Sequence, residues 1–187
     1  MTVELRPWML EDAAALSAAF EENPDLHAQF GGRDLSTVDR AREFISQQLS
    51  FTEFSRNWSI TIDHVAVGNV GLSAIERTHG TAWAYYWLTS EARGHGYASR
   101  ALSTVAVEAF KDGLFRLELG HRTNNPASCA VATSAGFLAE GLERQKLQYG
   151  AERFDVETHA RLRTDPTPNL EALPTAHQGI PHWPAAQ

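Results

Sequence analysis

The stretch Arg93-Gly94-His95-Gly96-Tyr97-Ala98 holds the residue types most directly suited to chemistry. Two glycines opening a helix leave backbone N–H groups bare, and such groups at the positive end of a helix bind anions, most often phosphate. Three ligands compete for a loop of this kind. A dinucleotide fold requires a third glycine, where this chain has Ser99, and its loop follows the first strand rather than lying mid-chain. A nucleoside-triphosphate loop ends in Gly-Lys-Ser/Thr, which is absent here. The third reading is a cradle for the pyrophosphate of coenzyme A.

The loop must be held by flanking elements, and these are legible as periodic patterns. Val3 to Arg6 reads as a strand ended by Pro7, and Glu11 to Glu22 as a helix with Ala14, Leu16 and Phe20 as core contacts. After a loop through Asn23, Pro24, Gly31 and Gly32, Ser36 is the expected N-cap of a helix with Val38, Ala41, Phe44, Ile45 and Leu49 on one face. Trp58 to Ile62 alternates as a strand and turns near Asp63-His64 into Val65 to Ile75, where Gly68 and Gly71 mark a bulge or a close backbone approach. Thr81 to Leu88, with Trp83, Tyr85, Tyr86 and Trp87, is an aromatic strand that leads into the glycine loop.

Beyond the loop, Leu102, Val105, Ala106, Ala109 and Phe110 share one helical face, and Gly113 stands just past its end. Leu114 to His121 reads as a strand. Asn124-Asn125-Pro126 offers a cap with proline in the first turn of a short helix to Ser134, ended by Gly136. Phe137 to Tyr149 and Arg153 to Leu162 close the pattern around a turn at Gly150. In the last, Phe154, Val156, Thr158, Ala160 and Leu162 alternate with Asp155, Glu157, His159 and Arg161, predicting a strand buried on one face only.

The patterns place one domain over 1–163 and a proline-rich tail, flexible or draped on the surface, over 164–187. In that tail Ile180 and Trp183 are apolar enough to dock onto the domain or onto a second copy, while His177 and His182 are too isolated to argue for a metal site. No metal is expected. The net charge of −7, from 16 basic and 23 acidic residues, argues against a general nucleic-acid or anionic-membrane binder and suits a cationic substrate. No apolar run approaches the roughly 20 residues that span a bilayer. The N-terminal residues lack the features of a secretory signal, and the one cysteine, Cys129, is compatible with a reducing compartment, so a cytoplasmic location is expected.

The loop and its surroundings resemble the GNAT acetyltransferase superfamily. Arg93, Gly96 and Ala98 match its Q/R-x-x-G-x-G/A hallmark, and Leu5-Arg6-Pro7-Trp8 with Glu11-Asp12-Ala13 is similar to its opening strand and helix. Asn125-Pro126-Ala127-Ser128, Ala135-Gly136-Phe137 and Glu140-Gly141 resemble the N-x-x-S…GF…EG signature of the branch holding ribosomal-protein N-terminal acetyltransferases and several antibiotic-modifying enzymes. Phe154-Asp155-Val156 to Ala160-Arg161-Leu162 resembles its closing strand. The resemblance covers about residues 3–163 and implies an α+β fold. That fold is a mixed, mostly antiparallel sheet flanked by helices, whose central strands splay to admit coenzyme A.

It also implies direct acetyl transfer from acetyl-CoA to an amine. The pantetheine arm would enter beside Trp87-Leu88, with the N–H near Leu88 polarising the thioester carbonyl. Gly94, Gly96, Tyr97, Ala98 and Ser99 would hold the pyrophosphate, while Arg93 and His95 either add charge or are simply solvated. Many members carry a tyrosine where this chain has Ala132. Ser128 is then the substitute acid for the leaving thiolate, or else only a helix residue bonding backbone. Asn125 would contact the pantetheine, or act as an N-cap alone. For the general base Glu118 is preferred over Glu76 and Asp155, with a structural pairing to Arg116 or Arg122 as its alternative role. The ribosomal-protein enzymes place a glutamate near the position of Leu147, a departure in this chain. Direct transfer leaves Cys129 as a buried, inert thiol.

Three functions follow. The first is an N-acetyltransferase acting on a cationic small-molecule amine such as an aminoglycoside-like antibiotic. The second is a protein N-terminal acetyltransferase, and the third a non-catalytic acyl-CoA sensor. Phe30, Trp58 and Trp83 are candidates for a substrate pocket or for the core. Dimers are common in this branch, and a homodimer is compatible with the sequence.

Overall fold

Val3–Pro7 (β1), Arg56–Ile62 (β2), Val65–Glu76 (β3) and Thr81–Leu88 (β4) lie side by side as antiparallel neighbours in the computed structural model, which describes residues 1–176. Arg116–Arg122 (β5) then joins β4 in parallel, and Leu138–Tyr149 (β6) and Glu152–Leu162 (β7) complete a seven-stranded sheet of order β1-β2-β3-β4-β5-β7-β6. The helices are Ala13–Glu22 (α1), Val38–Phe44 (α2), Tyr97–Lys111 (α3) and Pro126–Ser134 (α4). Among the described residues no helix is long and apolar enough to cross a membrane.

Each face of the sheet carries its own core. Leu102, Val105, Ala106 and Ala109 of α3 pack with Ile60, Val70, Leu72, Ala82, Ala84 and Leu117. On the other face Leu16 and Phe20 of α1 and Ala41 and Phe44 of α2 pack with Trp8, Phe30 and Trp87. Each such large apolar side chain contributes about 1.5–3 kcal/mol on burial. Gly68 lets β3 and β4 close up: a Cβ there would stand 2.5 Å from the Trp87 carbonyl oxygen. Phe30 and Trp58 are core residues.

Two expectations need correction. Thr37, not Ser36, caps α2, its hydroxyl accepting from the Arg40 N–H. The strand β7 is buried on both faces over its His159–Arg161 stretch, where the Glu157, His159 and Arg161 side meets α4. His159 and Arg161 are only 3% and 2% exposed. The Arg161 guanidinium donates to the Ala135 carbonyl at the end of α4, 3.1 Å away, where the helix dipole favours a cation. The segment after residue 163 runs mostly over the surface as far as it is described. Leu173 enters the core, and Leu5 exchanges hydrogen bonds with Pro174 and Ala176. His177, Ile180, His182 and Trp183 lie outside the described residues.

Candidate active site

The strands β4 and β5 pair only over Thr81–Arg116, Ala82–Leu117 and Trp83–Glu118, and then diverge. A cleft of about 570 Å³ opens where they part. It runs through the sheet: Tyr86, His121, Asn125 and Ser128 line its α4 side, and Asp25, Gln29, Lys146 and Leu147 its other side. The Thr89 N–H donates to the Val67 carbonyl at 2.9 Å. Ladder alternation therefore aims the neighbouring Leu88 N–H away from β3, toward the side that β5 has vacated.

The N-terminus of α3 follows the end of β4. Gly94 and Gly96 have φ of +80° and +76°, in the left-handed region that glycine enters at little cost. A Cβ at either would meet nothing within 4 Å, so open space lies above the loop. No side chain caps the helix and no acidic residue occupies its first turn. The N–H groups of Tyr97, Ala98 and Ser99 thus begin a 15-residue helix uncapped, with the dipole favouring an anion there. The side chains of Tyr97 and Ala98 are buried, while His95 is exposed and stacks on Tyr97.

Two expected contributors are engaged elsewhere. Arg93 donates from Nε to the Leu88 carbonyl (3.0 Å) and pairs with Asp25 at 2.8 Å, so it ties the loop to the segment after α1. Trp87 points its side chain into the core against Trp8 and Phe30, away from the cleft. Leu88 is buried beneath α3. Trp83, by contrast, does line the cleft.

Asn125 caps α4, its Oδ1 accepting from the Ser128 N–H at 3.1 Å. Ser128 lines the cleft, with its side chain beside the Tyr86 phenol. The Tyr86 phenol reaches across to donate to the Ser128 carbonyl oxygen at 3.0 Å. Burial pushes the Tyr86 phenol up to about 12, so it stays protonated at neutral pH.

All three carboxylates weighed as bases are engaged. Glu118 accepts from Arg116 at 2.6 Å, as its alternative role required, and does not line the cleft; Arg116 also pairs with Glu140. Glu76 accepts the Thr78 and His79 N–H groups, which hold its carboxyl below the usual range. Asp155 accepts the Gln145 N–H at 2.7 Å. That bond steadies an irregularity of β6 between Glu143 and Leu147, where Gln145 has φ of +53° and Lys146 and Leu147 turn into the cleft.

A further cluster was not anticipated. His121, Cys129, Glu157 and His159 bring their ligand atoms within 4.8 Å of one another, and Cys129 is half-buried rather than buried. The sequence does carry a signal for it: Glu157 and His159 stand two apart on one strand, hence on one face. The β5–β7 register, which sets His121 opposite Glu157, is what completes the cluster.

The sequence profile described as Acetyltransferase (GNAT) domain matches residues 2–138. The ribosomal-protein-serine acetyltransferase of Escherichia coli (strain K12) is 29% identical over 110 residues, 58% of this chain. That alignment spans 62% of the curated relative's length. Among solved structures, Mycobacterium smegmatis RimJ in complex with a CoA disulfide has a TM-score of 0.76 at 26% identity, over 86% of this chain and 82% of that one. RimL, a ribosomal L7/L12 alpha-N-protein acetyltransferase with coenzyme A bound, has a TM-score of 0.75 at 23% identity, over 87% and 94%, a likeness of fold. With the splayed parallel strands, the bare α3 terminus and this match over most of its length, the chain belongs to the GNAT acetyltransferase family.

Proposed function

We propose that this chain transfers the acetyl group of acetyl-CoA directly to the α-amino group at the N-terminus of a protein. The observation that carries the reading is the cleft through the sheet, lined on one side by Ser128 and Asn125 and on the other by Asp25, Gln29 and Lys146. Donor and acceptor can approach a carbonyl from opposite faces, so a ternary complex needs no covalent enzyme intermediate.

In this reading the N–H groups from Gly94 to Ser99 hold the pyrophosphate and Asn125 contacts the pantetheine. The Leu88 N–H polarises the thioester carbonyl. The amine nitrogen attacks the carbonyl carbon, the C–S bond breaks, and the thiolate takes a proton from the Ser128 hydroxyl. The amine's surplus proton passes to water and Ser128 is reprotonated from solvent. Little help from a base is required. An α-amino group with a pKa of about 7.7–8.0 is partly neutral at pH 7, unlike a lysine-type amine near 10.4. This suits a cleft whose neighbouring carboxylates are already engaged.

Charge at the cleft favours this acceptor over a polycationic antibiotic. Arg122 and Lys146 line it, and Asp25, the one carboxylate among its lining residues, is paired with Arg93. The acidity of the chain therefore does not concentrate where the acceptor would sit. Similarity to a ribosomal-protein-serine acetyltransferase points the same way.

Release of free thiol from acetyl-CoA, measured across N-terminal peptides, aminoglycosides and polyamines, tests the proposal. Turnover with peptides is expected. Turnover confined to aminoglycosides or polyamines overturns the acceptor. Tight binding of coenzyme A with no turnover on any amine makes the chain a sensor.

A further inference from the structure

We propose that His121, His159, Glu157 and Cys129 form a divalent-metal site, independent of the acetyl-transfer reading, whose donors favour Zn²⁺. The ligands come from three elements: His121 from β5, Glu157 and His159 from β7, and Cys129 from α4. It is the one such group among the described residues, and both histidine rings are buried.

The spacing suits a four-coordinate ion. Bonds of about 2.0–2.1 Å to N or O and about 2.3 Å to S give a tetrahedron with edges of roughly 3.3–3.7 Å. Here Nε2 of His121 lies 3.0 Å from Nε2 of His159 and 3.4 Å from Oε2 of Glu157. Oε2 of Glu157 lies 2.9 Å from Nε2 of His159 and 3.7 Å from Sγ of Cys129. Those four edges lie within about half an ångström of the ideal, and the two from Sγ to the histidine nitrogens lie within 4.8 Å, so a shift of about an ångström by the Cys129 side chain would complete the tetrahedron.

The outer contacts already orient the rings for an ion. Nδ1 of His121 lies 3.1 Å from the Arg122 carbonyl oxygen and Nδ1 of His159 lies 3.4 Å from that of Phe137. A carbonyl only accepts, so each Nδ1 carries its hydrogen, and the lone pairs of neutral rings are left on the two Nε2 atoms. Those lone pairs face each other and the Glu157 carboxylate. Either one ring carries a hydrogen on Nε2, or a cation stands between them. A metal answers the conflict for all four groups at once: its two charges balance one carboxylate and one thiolate. Mixed N, O and S donors in a tetrahedron select zinc over magnesium or calcium. Binding converts the Cys129 thiol to thiolate and releases its proton to solvent. With four protein ligands the site is closed, and its role is to fasten α4, which carries Ser128, to β5 and β7.

The test uses the full-length chain without a histidine tag. After equilibration with Zn²⁺ and removal of the excess, elemental analysis is expected to find one zinc per chain. Replacement by Co²⁺ should give the strong visible bands of four-coordinate cobalt and a thiolate-to-cobalt charge-transfer band. Cys129→Ser should abolish that band. His159→Gln should weaken zinc binding by more than the ~10–100-fold that loss of an outer-shell partner costs. The double variant His177→Ala/His182→Ala should retain the ion. Trace zinc in the wild-type protein, a six-coordinate cobalt spectrum without the charge-transfer band, or zinc lost only with His177 and His182 each overturns the site. The wild-type measurements stand even if a variant fails to fold.

Discussion

The Tyr86 phenol donates to the Ser128 carbonyl oxygen at 3.0 Å, bridging the cleft from β4 to the first turn of α4. This bond sets the distance between the wall that offers the Leu88 N–H and the helix that offers the Ser128 hydroxyl. Tyr86→Phe removes the bond and little else, and should cost about 1 kcal/mol of stability. Because Tyr86 acts through the placement of Ser128, kcat should fall while the KM for acetyl-CoA hardly moves. A raised KM with kcat unchanged would make Tyr86 a binding residue instead.

Ser128 meets the Asn125 cap and the Tyr86 phenol bond through its backbone, so Ser128→Ala leaves both in place. The variant should keep its melting temperature and its affinity for coenzyme A. Its kcat should drop roughly tenfold or more, within the range for acid–base groups. Unchanged kcat would remove Ser128 from the acid role.

At the cradle, Gly96→Val forces a β-branched residue into a left-handed conformation at φ +76°, a strain of about 1–2 kcal/mol, and puts bulk where phosphate would approach. Calorimetric titration should show weakened binding of coenzyme A. Gly150→Ala, at φ +60° in the β6–β7 turn, imposes comparable backbone strain outside the loop and should leave that affinity intact.

Arg116 joins Glu118 and Glu140, linking β5 to β6 across β7, and its guanidinium holds the Glu140 carboxyl below the ordinary range. A depressed carboxyl contributes stability above its unfolded value, near 4.5, and loses it as pH falls through the lower folded value. Denaturant titrations of wild type and Glu140→Gln should therefore differ at pH 7 and converge in acid. The pair is half-exposed, so the difference should stay below about 1 kcal/mol.

Local rules recovered what depends on neighbours in the chain. The Asn125 cap, Pro126 at the first helical position and the aromatic strand Thr81–Leu88 all stand as the spacing predicts. What failed depended on burial and pairing. Period-two alternation assigns His159 and Arg161 to solvent, and only the covering of that face by α4 shows them to be interior. Sequence ranks Glu118 above Glu76 and Asp155 as a base but does not show that each has a partner in the fold, respectively Arg116, the Thr78–His79 amides and the Gln145 N–H. The proline-rich segment after residue 163 reads as flexible or draped on the surface, and Pro174 offers its carbonyl to the free edge of β1.

Leu147 turns into the cleft beside Lys146, at the place where the resembled ribosomal-protein enzymes carry a glutamate. Without a free carboxylate there, the rate should track the neutral fraction of the acceptor amine. It should then rise about tenfold per pH unit below about 7.7–8.0, the pKa of an α-amino group, and level off above it. Leu147→Glu would supply a proton acceptor within one water of the amine, with Lys146 and Arg122 nearby to keep it charged. The bound ammonium could then lose its proton inside the complex, so the acid limb of kcat should move to lower pH while the plateau changes little. A profile that does not move would mean that the amine is deprotonated before it binds, and that no residue at position 147 assists the reaction.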